Sequence, residues 1–483
     1  MESSGGSVDV SMYLEQIALH DKEFPPMKSA MPYGTAGFRT DASLLHKVCF
    51  RVGVVTTLRA RQKGRSGVMI TASHNKGSDN GVKIVDYTGE ILSTLWEQKV
   101  TKFVNSEDPS AAFLELLETK DEGEEPISLA SKAVVYVGYD TRVSSVELTD
   151  ALIKGVRAAG GEEKNFELVT TPQLHFLVQL GFKRGSHEVA LEDYYAYMRE
   201  KVENFKANAR KDNSKYEKKL FIDCADGIGG PAVKKLDAVS QLCEFETLNE
   251  GTGAEVFLNE GCGAEFVQKE RQLPRNFNPA THHGAKFASF DGDADRLVYF
   301  FTEDGNLGLI DGDRIATLIT TYVWKLLSEI KCKDGEDLVK KVTLAVVQTG
   351  YANSGSTTFL NKMGVQTESV PTGVKYLHRK AECFDIGAYF EANGHGCVLA
   401  KLDKIRATIA EHAVDPDQEA VRLLLALLEV SNQAVGDAMS CMLMVECVLL
   451  QLDINLTEVA PQTPNPKPQT PNPKPQTPRG SIL

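Results

Sequence analysis

Short apolar runs alternate along this chain with longer stretches in which apolar residues recur every three or four positions. This alternation is typical of α/β domains, in which buried strands are joined by amphipathic helices. The short runs predict strands at Val68–Ile70, Ala133–Val137, Leu220–Asp223, Ala288–Phe290, Leu297–Phe301 and Leu344–Val347. The longer spacing predicts helices at Ser145–Ala159, Asp313–Leu327 and Glu419–Leu428.

The length of 483 residues exceeds what one hydrophobic core supports and indicates about three domains. The polar stretch 201–219 reads as an exposed helix end and a linker. We therefore predict three consecutive mixed-sheet α/β domains at 1–190, 191–302 and 303–455. From Pro461 the chain repeats Pro-Gln-Thr-Pro-Asn-Pro-Lys, which supports neither helix nor sheet, so 456–483 is predicted to be a disordered proline-rich tail. Use of this repeat as a ligand for SH3-like partners is the less favoured alternative.

Composition narrows the functional classes. The formal net charge of −13 argues against a general nucleic-acid binder. The most apolar runs are too short, or are interrupted by Glu446, for a membrane span. Nine scattered cysteines without a CxxC pair indicate reduced thiols, and the N-terminus lacks the pattern of a signal peptide. We expect a cytoplasmic monomer without nucleic-acid or membrane partners.

An aspartate run provides the clearest candidate chemistry. Asp291, Asp293 and Asp295 stand at alternate positions between two apolar runs, so their carboxylates can converge on one hard cation. An EF-hand loop is excluded because Arg296 replaces the glycine at the sixth position and Thr302 the glutamate at the twelfth. A solvated acidic turn is disfavoured because the three charges would repel without a counter-ion. The pattern predicts a Mg²⁺ site.

A serine follows another predicted strand. Ser73 lies between the apolar run that ends at Ile70 and a glycine-containing turn, where its hydroxyl could act as a nucleophile. On its own this serine is better explained as a helix cap or a turn residue. A Ser-His-Asp hydrolase is disfavoured because no G-x-S-x-G elbow surrounds Ser73, and the adjacent His74 cannot easily present a base to it. Together with the aspartate run, the serine indicates phosphoryl transfer.

Two further loops are ambiguous by themselves. The run Glu391–Gly396 offers hydrogen-bond donors and acceptors that suit sugar hydroxyls, but a plain loop explains it equally well. The run Thr372–Lys375 is a turn with one cation. By contrast, Asp311 and Asp313 directly precede a helical pattern, and helix capping explains them better than metal binding.

Taken together, these runs resemble the α-D-phosphohexomutase family, and within it the phosphoacetylglucosamine mutase branch. The resemblance extends over residues 31 to 453. The order of its motifs is specific, because the serine motif precedes the Gly-x-Asp-Thr-Arg motif, whereas most phosphohexomutases have the reverse order. The matching runs are Tyr33–Arg39, Thr71–Asn75, Asp79–Lys83, Gly138–Arg142, Thr170–His175, Ser289–Arg296, Tyr351–Asn353, Thr372–Lys375 and Glu391–Gly396.

The resemblance implies a role for each candidate residue. Ser73 would be the phosphoserine and, with Asp291, Asp293 and Asp295, would hold Mg²⁺. Stabilisation of charge and proton transfer would fall to Arg39, His74, Lys83 and Arg296. The sugar phosphate would be bound by Thr372, Gly373, Lys375, Glu391, Asn393 and His395. The implied activity interconverts N-acetylglucosamine 6-phosphate and 1-phosphate through a 1,6-bisphosphate, on the route to UDP-N-acetylglucosamine.

The sequence departs from the family pattern at two points. Lys76 stands where many members have proline. Family members also carry an Arg-Pro-Ser-Gly-Thr-type loop in a fourth domain, which clamps the non-reacting phosphate, and we find no such run here. Charge-assisted bonds of this kind contribute roughly 1.5–3 kcal/mol each, so we expect reduced mutase turnover. The alternatives are a catalytically impaired metal-binding regulator and a Mg²⁺-dependent sugar phosphatase.

Overall fold

The computed structural model describes residues 9–34, 37–119, 123–240, 242–251 and 257–459, with 237–240 described for their backbone alone. Three mixed sheets follow one another along the chain, each with helices packed against it. The elements around the first sheet are α1 Ser11–Asp21, β1 Phe38–Asp41, α2 His46–Lys63, β2 Arg65–Ile70, β3 Asp79–Val85, α3 Thr94–Val104, α4 Pro109–Glu118, β4 Val134–Tyr139, α5 Ser145–Ala158, β5 Glu162–Leu168 and α6 Thr171–Arg184.

The second sheet follows after a long helix. Its elements are α7 Leu191–Asn208, β6 Lys219–Asp223, α8 Gly229–Ser240, β7 Glu244–Leu248, α9 Ala264–Glu270, α10 Pro279–His282, β8 Phe287–Phe290, β9 Leu297–Glu303 and β10 Asn306–Ile310. The third sheet and its helices comprise α11 Gly312–Glu329, β11 Leu344–Thr349, α12 Ser354–Met363, β12 Gln366–Val370, α13 Val374–Ala381, β13 Ile386–Phe390, β14 Gly396–Ala400, α14 Leu402–His412, α15 Glu419–Val430, α16 Ala438–Leu452 and α17 Leu456–Val459.

The three sheets share one plan. In each sheet three neighbouring strands run parallel. The strand at one end of this parallel row is followed along the chain by an antiparallel partner. These hairpins are β2–β3, β8–β9 and β13–β14. In the second and third sheets the hairpin follows the other parallel strands along the chain, whereas in the first sheet it precedes them. The plan places the hairpin turns of all three sheets at equivalent ends of equivalent strands.

Strand burial explains why the apolar runs are continuous rather than alternating. Every residue of β2 is buried, because helices cover both faces of the first sheet. Val68 and Ile70 belong to a core shared with α2 and α5, whereas Met69 points into the core on the opposite face, toward α6. Successive side chains of a strand point to opposite faces, so both faces must be apolar.

The structure confirms all six predicted strands and all three predicted helices, with ends that differ by no more than three residues. The predicted domain boundary after 302 falls within the β9–β10 hairpin of the second sheet. That sheet continues to Ile310. The first four residues assigned to the tail form α17 instead, since Leu456 and Val459 are buried. The proline repeat itself lies outside the described residues.

Two further findings bear on composition. Within the described part of the chain, no helix is long and apolar enough to cross a membrane. All nine cysteines are free thiols, and all but Cys383 are buried.

Candidate active site

The serine run lies at the hairpin turn of the first sheet. β2 ends at Ile70 and β3 begins at Asp79, and between them Ser73 takes a left-handed conformation with φ of 51°. Its backbone nitrogen donates to Thr71 Oγ1 at 2.9 Å, and that hydroxyl donates to Asp140 at 2.7 Å. A non-glycine residue at positive φ is strained, so the surrounding contacts must hold it in place.

Two side chains supply those contacts from opposite sides of the turn. Arg142 Nη2 donates to the carbonyl oxygens of Ser73 and Asn75, both at 2.9 Å. Asn259, from the second domain, donates to the same carbonyls at 2.9 and 3.0 Å. The backbone of Ser73 is thereby fixed jointly by two domains. Only 4% of the surface of Ser73 is accessible, because the aspartate loop covers it.

The aspartate run lies at the equivalent turn of the second sheet, between β8 and β9. Ligand oxygens of Asp291, Asp293 and Asp295 lie within 4.8 Å of one another, and all three residues are buried. A Cβ at Gly292 would stand 2.7 Å from the carbonyl oxygen of Ser73. Glycine is therefore required here, because the two turns approach each other at this point.

The same approach brings the hydroxyl of Ser73 to the acidic cluster. Ser73 Oγ donates to Asp291 Oδ2 at 2.7 Å. Asp291 Oδ1 accepts from the backbone nitrogens of Asp295 and Arg296 at 3.1 and 3.2 Å, which closes the loop. Asp293 Oδ2 accepts from Thr171 at 2.6 Å. The serine hydroxyl and three carboxylates thus share one buried pocket.

This donor set fits a hard divalent cation. Asp293 Oδ1 is buried and has no hydrogen-bond partner among the described residues, so it is available as a ligand. Burial and the charges of Asp295 and Asp293 raise the pKa of Asp291. Burial likewise opposes ionisation of Asp295, yet the charges of His395 and Lys83 lower its pKa overall. Oxygen ligands with accumulated negative charge are those that Mg²⁺ selects.

Positive groups surround this pocket. Arg296 Nε lies 3.6 Å from Asp291 Oδ2, while its Nη1 contacts Glu265 Oε2 at 2.6 Å. His74 Nε2 lies 3.2 Å from the same Glu265 oxygen, and His74 Nδ1 lies 3.5 Å from Ser73 Oγ. Burial and the charge of Arg296 lower the pKa of His74 to about 4, so its ring is neutral at pH 7.

The other two predicted cations come from the first sheet. Arg39 in β1 donates to Asn75 Oδ1 at 3.1 Å, and burial lowers its pKa. Lys83 in β3 is buried, and its charge acts on Asp293 and Asp295. Both therefore face the serine and aspartate turns. Thr35 and Ala36 of the first matching run lie outside the described residues.

The Glu391–Gly396 run forms the hairpin turn of the third sheet, against the aspartate loop. His395 pairs with Arg296 in an isolated β-bridge, and its Nδ1 lies 3.2 Å from Asp295 Oδ1. The Nε2 atom of His395 is buried without a hydrogen-bond partner among the described residues. Asn393 Oδ1 accepts from the His395 nitrogen at 3.1 Å, so this amide also shapes the turn. Glu391 is partly buried beside it.

The Thr372–Lys375 run lies at the start of helix α13 in the third domain. Thr372 is exposed, and Gly373, with φ of 130°, precedes helix α13. Lys375 Nζ forms an ion pair with Glu97 Oε2 of helix α3 at 3.0 Å. Its cation therefore links the third domain to the first.

Sequence reasoning missed several residues that shape the site. Arg142 and His175 stood within matching runs, but no role followed from the pattern. His175 is fully buried, its Nδ1 lies 2.7 Å from the Gly89 carbonyl, and burial lowers its pKa to about 3. Asn259 and Glu265 stand outside every motif, since their importance comes from contacts between distant segments.

Three mixed α/β domains that bring a serine, an aspartate cluster and a third-domain turn to one point define the class of the α-D-phosphohexomutases. Family models agree with this class. The model "Phosphoglucomutase/phosphomannomutase, alpha/beta/alpha domain I" matches residues 46–111 and 122–185. The models "Phosphoacetylglucosamine mutase AMG1", domain II and domain III, match residues 186–298 and 311–454. The chain belongs to the phosphoacetylglucosamine mutase family.

Individual relatives support the same assignment. Phosphoacetylglucosamine mutase of Homo sapiens is 40% identical over 452 residues, which cover 92% of this chain and 79% of that protein. Among solved structures, the Aspergillus fumigatus N-acetylphosphoglucosamine mutase in complex with GlcNAc-6P and magnesium superposes with a TM-score of 0.84 at 33% identity, covering 94% of this chain and 83% of that one. An N-acetylglucosamine-phosphate mutase in its product complex gives 0.84 at 32%, covering 94% and 84%.

Proposed function

We propose that this chain interconverts N-acetylglucosamine 6-phosphate and N-acetylglucosamine 1-phosphate through a phosphoserine at Ser73 and a bound 1,6-bisphosphate. The observation that carries the proposal is the 2.7 Å contact between Ser73 Oγ and Asp291 inside a buried triad of carboxylates. Family membership supports the substrate, because the Aspergillus relative was solved with GlcNAc-6P and magnesium.

Mg²⁺ would be held by Asp291, Asp293, Asp295 and Ser73. When bound, this ion supplies neutralisation of the charge on a phosphoryl group. Arg296 and Arg39 would add positive charge beside the phosphoryl group. Phosphoryl transfer depends mainly on such positioning and charge stabilisation.

Every bond and proton in the transfer step is accounted for by the groups proposed here. The bond between Ser73 Oγ and phosphorus breaks as a bond from a sugar hydroxyl oxygen to phosphorus forms, and the hydroxyl proton passes to the protein. Lys83 and His74 are the proposed groups for proton transfer, because both lie beside the serine and aspartate turns. In the second half of the cycle the bisphosphate turns around and returns its other phosphoryl group to Ser73.

The third domain would orient the sugar. We assign sugar contacts to Glu391, Asn393 and His395, on the turn that lies against the aspartate loop. Thr372, Gly373 and Lys375 would act from the second loop. Lys375 would contribute to sugar binding partly by positioning this loop, since its ammonium group is paired with Glu97. We further propose a monomer with a cytoplasmic location, and the nine free thiols support the location alone.

A ³¹P NMR time course on the purified 483-residue chain tests the function. With Mg²⁺, N-acetylglucosamine 6-phosphate and catalytic glucose 1,6-bisphosphate, we expect a sugar 1-phosphate signal that grows with time. The variant Ser73→Ala should give none, whereas Ser78→Ala, at an exposed position of the same turn, should match the unmodified chain. The reduced turnover expected from the sequence stays a prediction, which the same rate measurement tests.

The rival functions give different products in this assay. Inorganic phosphate without sugar 1-phosphate would indicate a phosphatase and contradict the proposal. Absence of any conversion, with Mg²⁺ binding retained, would indicate an impaired metal-binding protein.

A further inference from the structure

Glu265 is held in place by the framework of the second domain. Helix α9 begins after Gly263, whose φ is 94° and whose nitrogen donates to Asp223 Oδ2 at 2.7 Å. The same carboxylate oxygen accepts from Ser289 in β8 at 2.6 Å. Glu265 occupies the first turn of α9, and so its backbone is tied to the strand that leads into the aspartate loop.

One oxygen of Glu265 contacts two of the side chains proposed for phosphoryl transfer. Its Oε2 lies 2.6 Å from Arg296 Nη1 and 3.2 Å from His74 Nε2, while its Oε1 pairs with Lys269. The carboxylate is largely shielded, with 19% of the side chain accessible. It therefore joins a residue of the serine turn to a residue of the aspartate loop.

Neither partner has an equivalent second restraint. Among the described residues, the Arg296 guanidinium forms its one hydrogen bond with Glu265, because the distances from its Nε to Asp291 and Asp295 are 3.6 and 3.8 Å. The other contact of the His74 ring is with Ser73, where Nδ1 lies 3.5 Å from Oγ. A neutral imidazole beside a carboxylate carries its proton on the nitrogen that faces it, which leaves Nδ1 directed toward Ser73.

We propose that Glu265 is a positioning residue, which holds Arg296 and His74 at fixed places beside Ser73 so that both meet the transferring phosphoryl group. The inference rests on the proposed mutase function. Glu265 touches neither the serine nor the aspartate triad, so its effect passes through Arg296 and His74. Loss of such a supporting contact reduces activity about 10- to 100-fold in comparable sites.

Steady-state kinetics of three variants test the proposal. Glu265→Ala should lower kcat about 10- to 100-fold with KM changed by less than about threefold, because substrate contacts are untouched. Glu265→Gln keeps an acceptor oxygen and should stay within about fivefold of the unmodified chain. Glu270→Ala, at an exposed position of the same helix, should have no effect. Equal losses for the Ala and Gln variants would indicate a need for charge alone and would overturn the proposal, as would full activity of the Ala variant.

A second readout does not depend on turnover. In ¹⁵N-histidine-labelled, metal-free protein, the ring nitrogens of His74 should report one tautomer, protonated at Nε2, with the signal assigned by His74→Gln. Glu265→Ala should give a mixture of tautomers, while the far-UV circular dichroism stays unchanged. An unaltered tautomer would contradict the positioning role. If the unmodified chain itself shows no conversion, the proposed function fails, whereas an active chain with an indifferent Glu265 overturns this inference alone.

Discussion

At the scale of single residues, the site holds three buried carboxylates of like charge close together. Asp291 is completely buried, and the neighbouring charges of Asp295 and Asp293 add to the effect of burial in raising its pKa. A carboxyl whose pKa is raised on folding destabilises the folded state once it ionises. The metal-free protein should therefore gain stability when this charge is removed.

We predict that Asp291→Asn raises the melting temperature of the metal-free protein at pH 7 by a few degrees and weakens Mg²⁺ binding at least about tenfold. Because the pKa of Asp291 is raised in the folded state, the stability gap should widen as pH rises through that pKa and vanish under acidic conditions where both states are protonated. Differential scanning calorimetry and titration calorimetry measure the two effects.

The matched control for this variant is Asp304→Asn. Asp304 is exposed in the β9–β10 turn with φ of 50°, a conformation that asparagine also adopts readily. It should change neither quantity. A melting temperature of Asp291→Asn that does not exceed that of Asp304→Asn would contradict the electrostatic argument.

At the scale of elements, the site is built where strand and helix ends meet. Helix α11 begins at Gly312 behind the capping residue Asp311, whose side chain accepts from the Arg314 nitrogen, as the sequence pattern predicted. Gly312 donates to the Ala392 carbonyl at 3.3 Å. A Cβ at Gly312 would stand 1.9 Å from the carbonyl oxygen of Glu391. The start of this helix therefore determines where the third-domain turn lies.

We predict that Gly312→Ala displaces the Glu391–Gly396 turn and raises KM for the sugar phosphate about tenfold, with the serine turn unaffected. The control is Gly350→Ala, since no atom lies within 4 Å of a Cβ added there. Kinetics of the two variants, together with phosphorylation of Ser73 by mass spectrometry, separate sugar binding from serine chemistry. An unchanged KM for Gly312→Ala would show that the turn is positioned by other contacts.

At the scale of the whole molecule, the last long helix ties the third domain to the second. Glu446 of α16 is fully buried and forms an ion pair with Lys286, just before β8. It also accepts from Tyr216 at 2.7 Å and from Tyr299 at 3.0 Å. A buried ion pair is costly to break from one side, because the remaining charge is left without a partner.

We predict that Lys286→Met lowers the free energy of unfolding by about 3–5 kcal/mol, and that adding Glu446→Gln restores part of it. The surface pair of Lys219 and Glu246, in which roughly half of each side chain is exposed, provides the comparison. Lys219→Met should cost no more than about 1 kcal/mol. Urea denaturation gives all three values. A double variant less stable than the single one would contradict the account.

Features that depend on residues close together in the sequence were predictable, whereas features that depend on distant residues were not. The apolar runs correctly predicted β2, β8 and β9, because a buried strand is recognisable from a short run of apolar residues. The boundary predicted after 302 falls within the β9–β10 hairpin, because the pairing of two strands depends on backbone hydrogen bonds that composition does not reveal. The aspartate cluster was predicted because its three residues are close in sequence.

What the sequence by itself determined is the fold class, the family and the residue types of the centre, since periodicity and short motifs are local properties. What the tertiary structure alone decided is which distant groups meet. Asn259 and Arg142 hold the Ser73 turn, Glu265 joins His74 to Arg296, and Lys375 pairs with Glu97. Such contacts join loops and helices that are distant in the sequence, most of them from different sheets, and no local pattern encodes that arrangement.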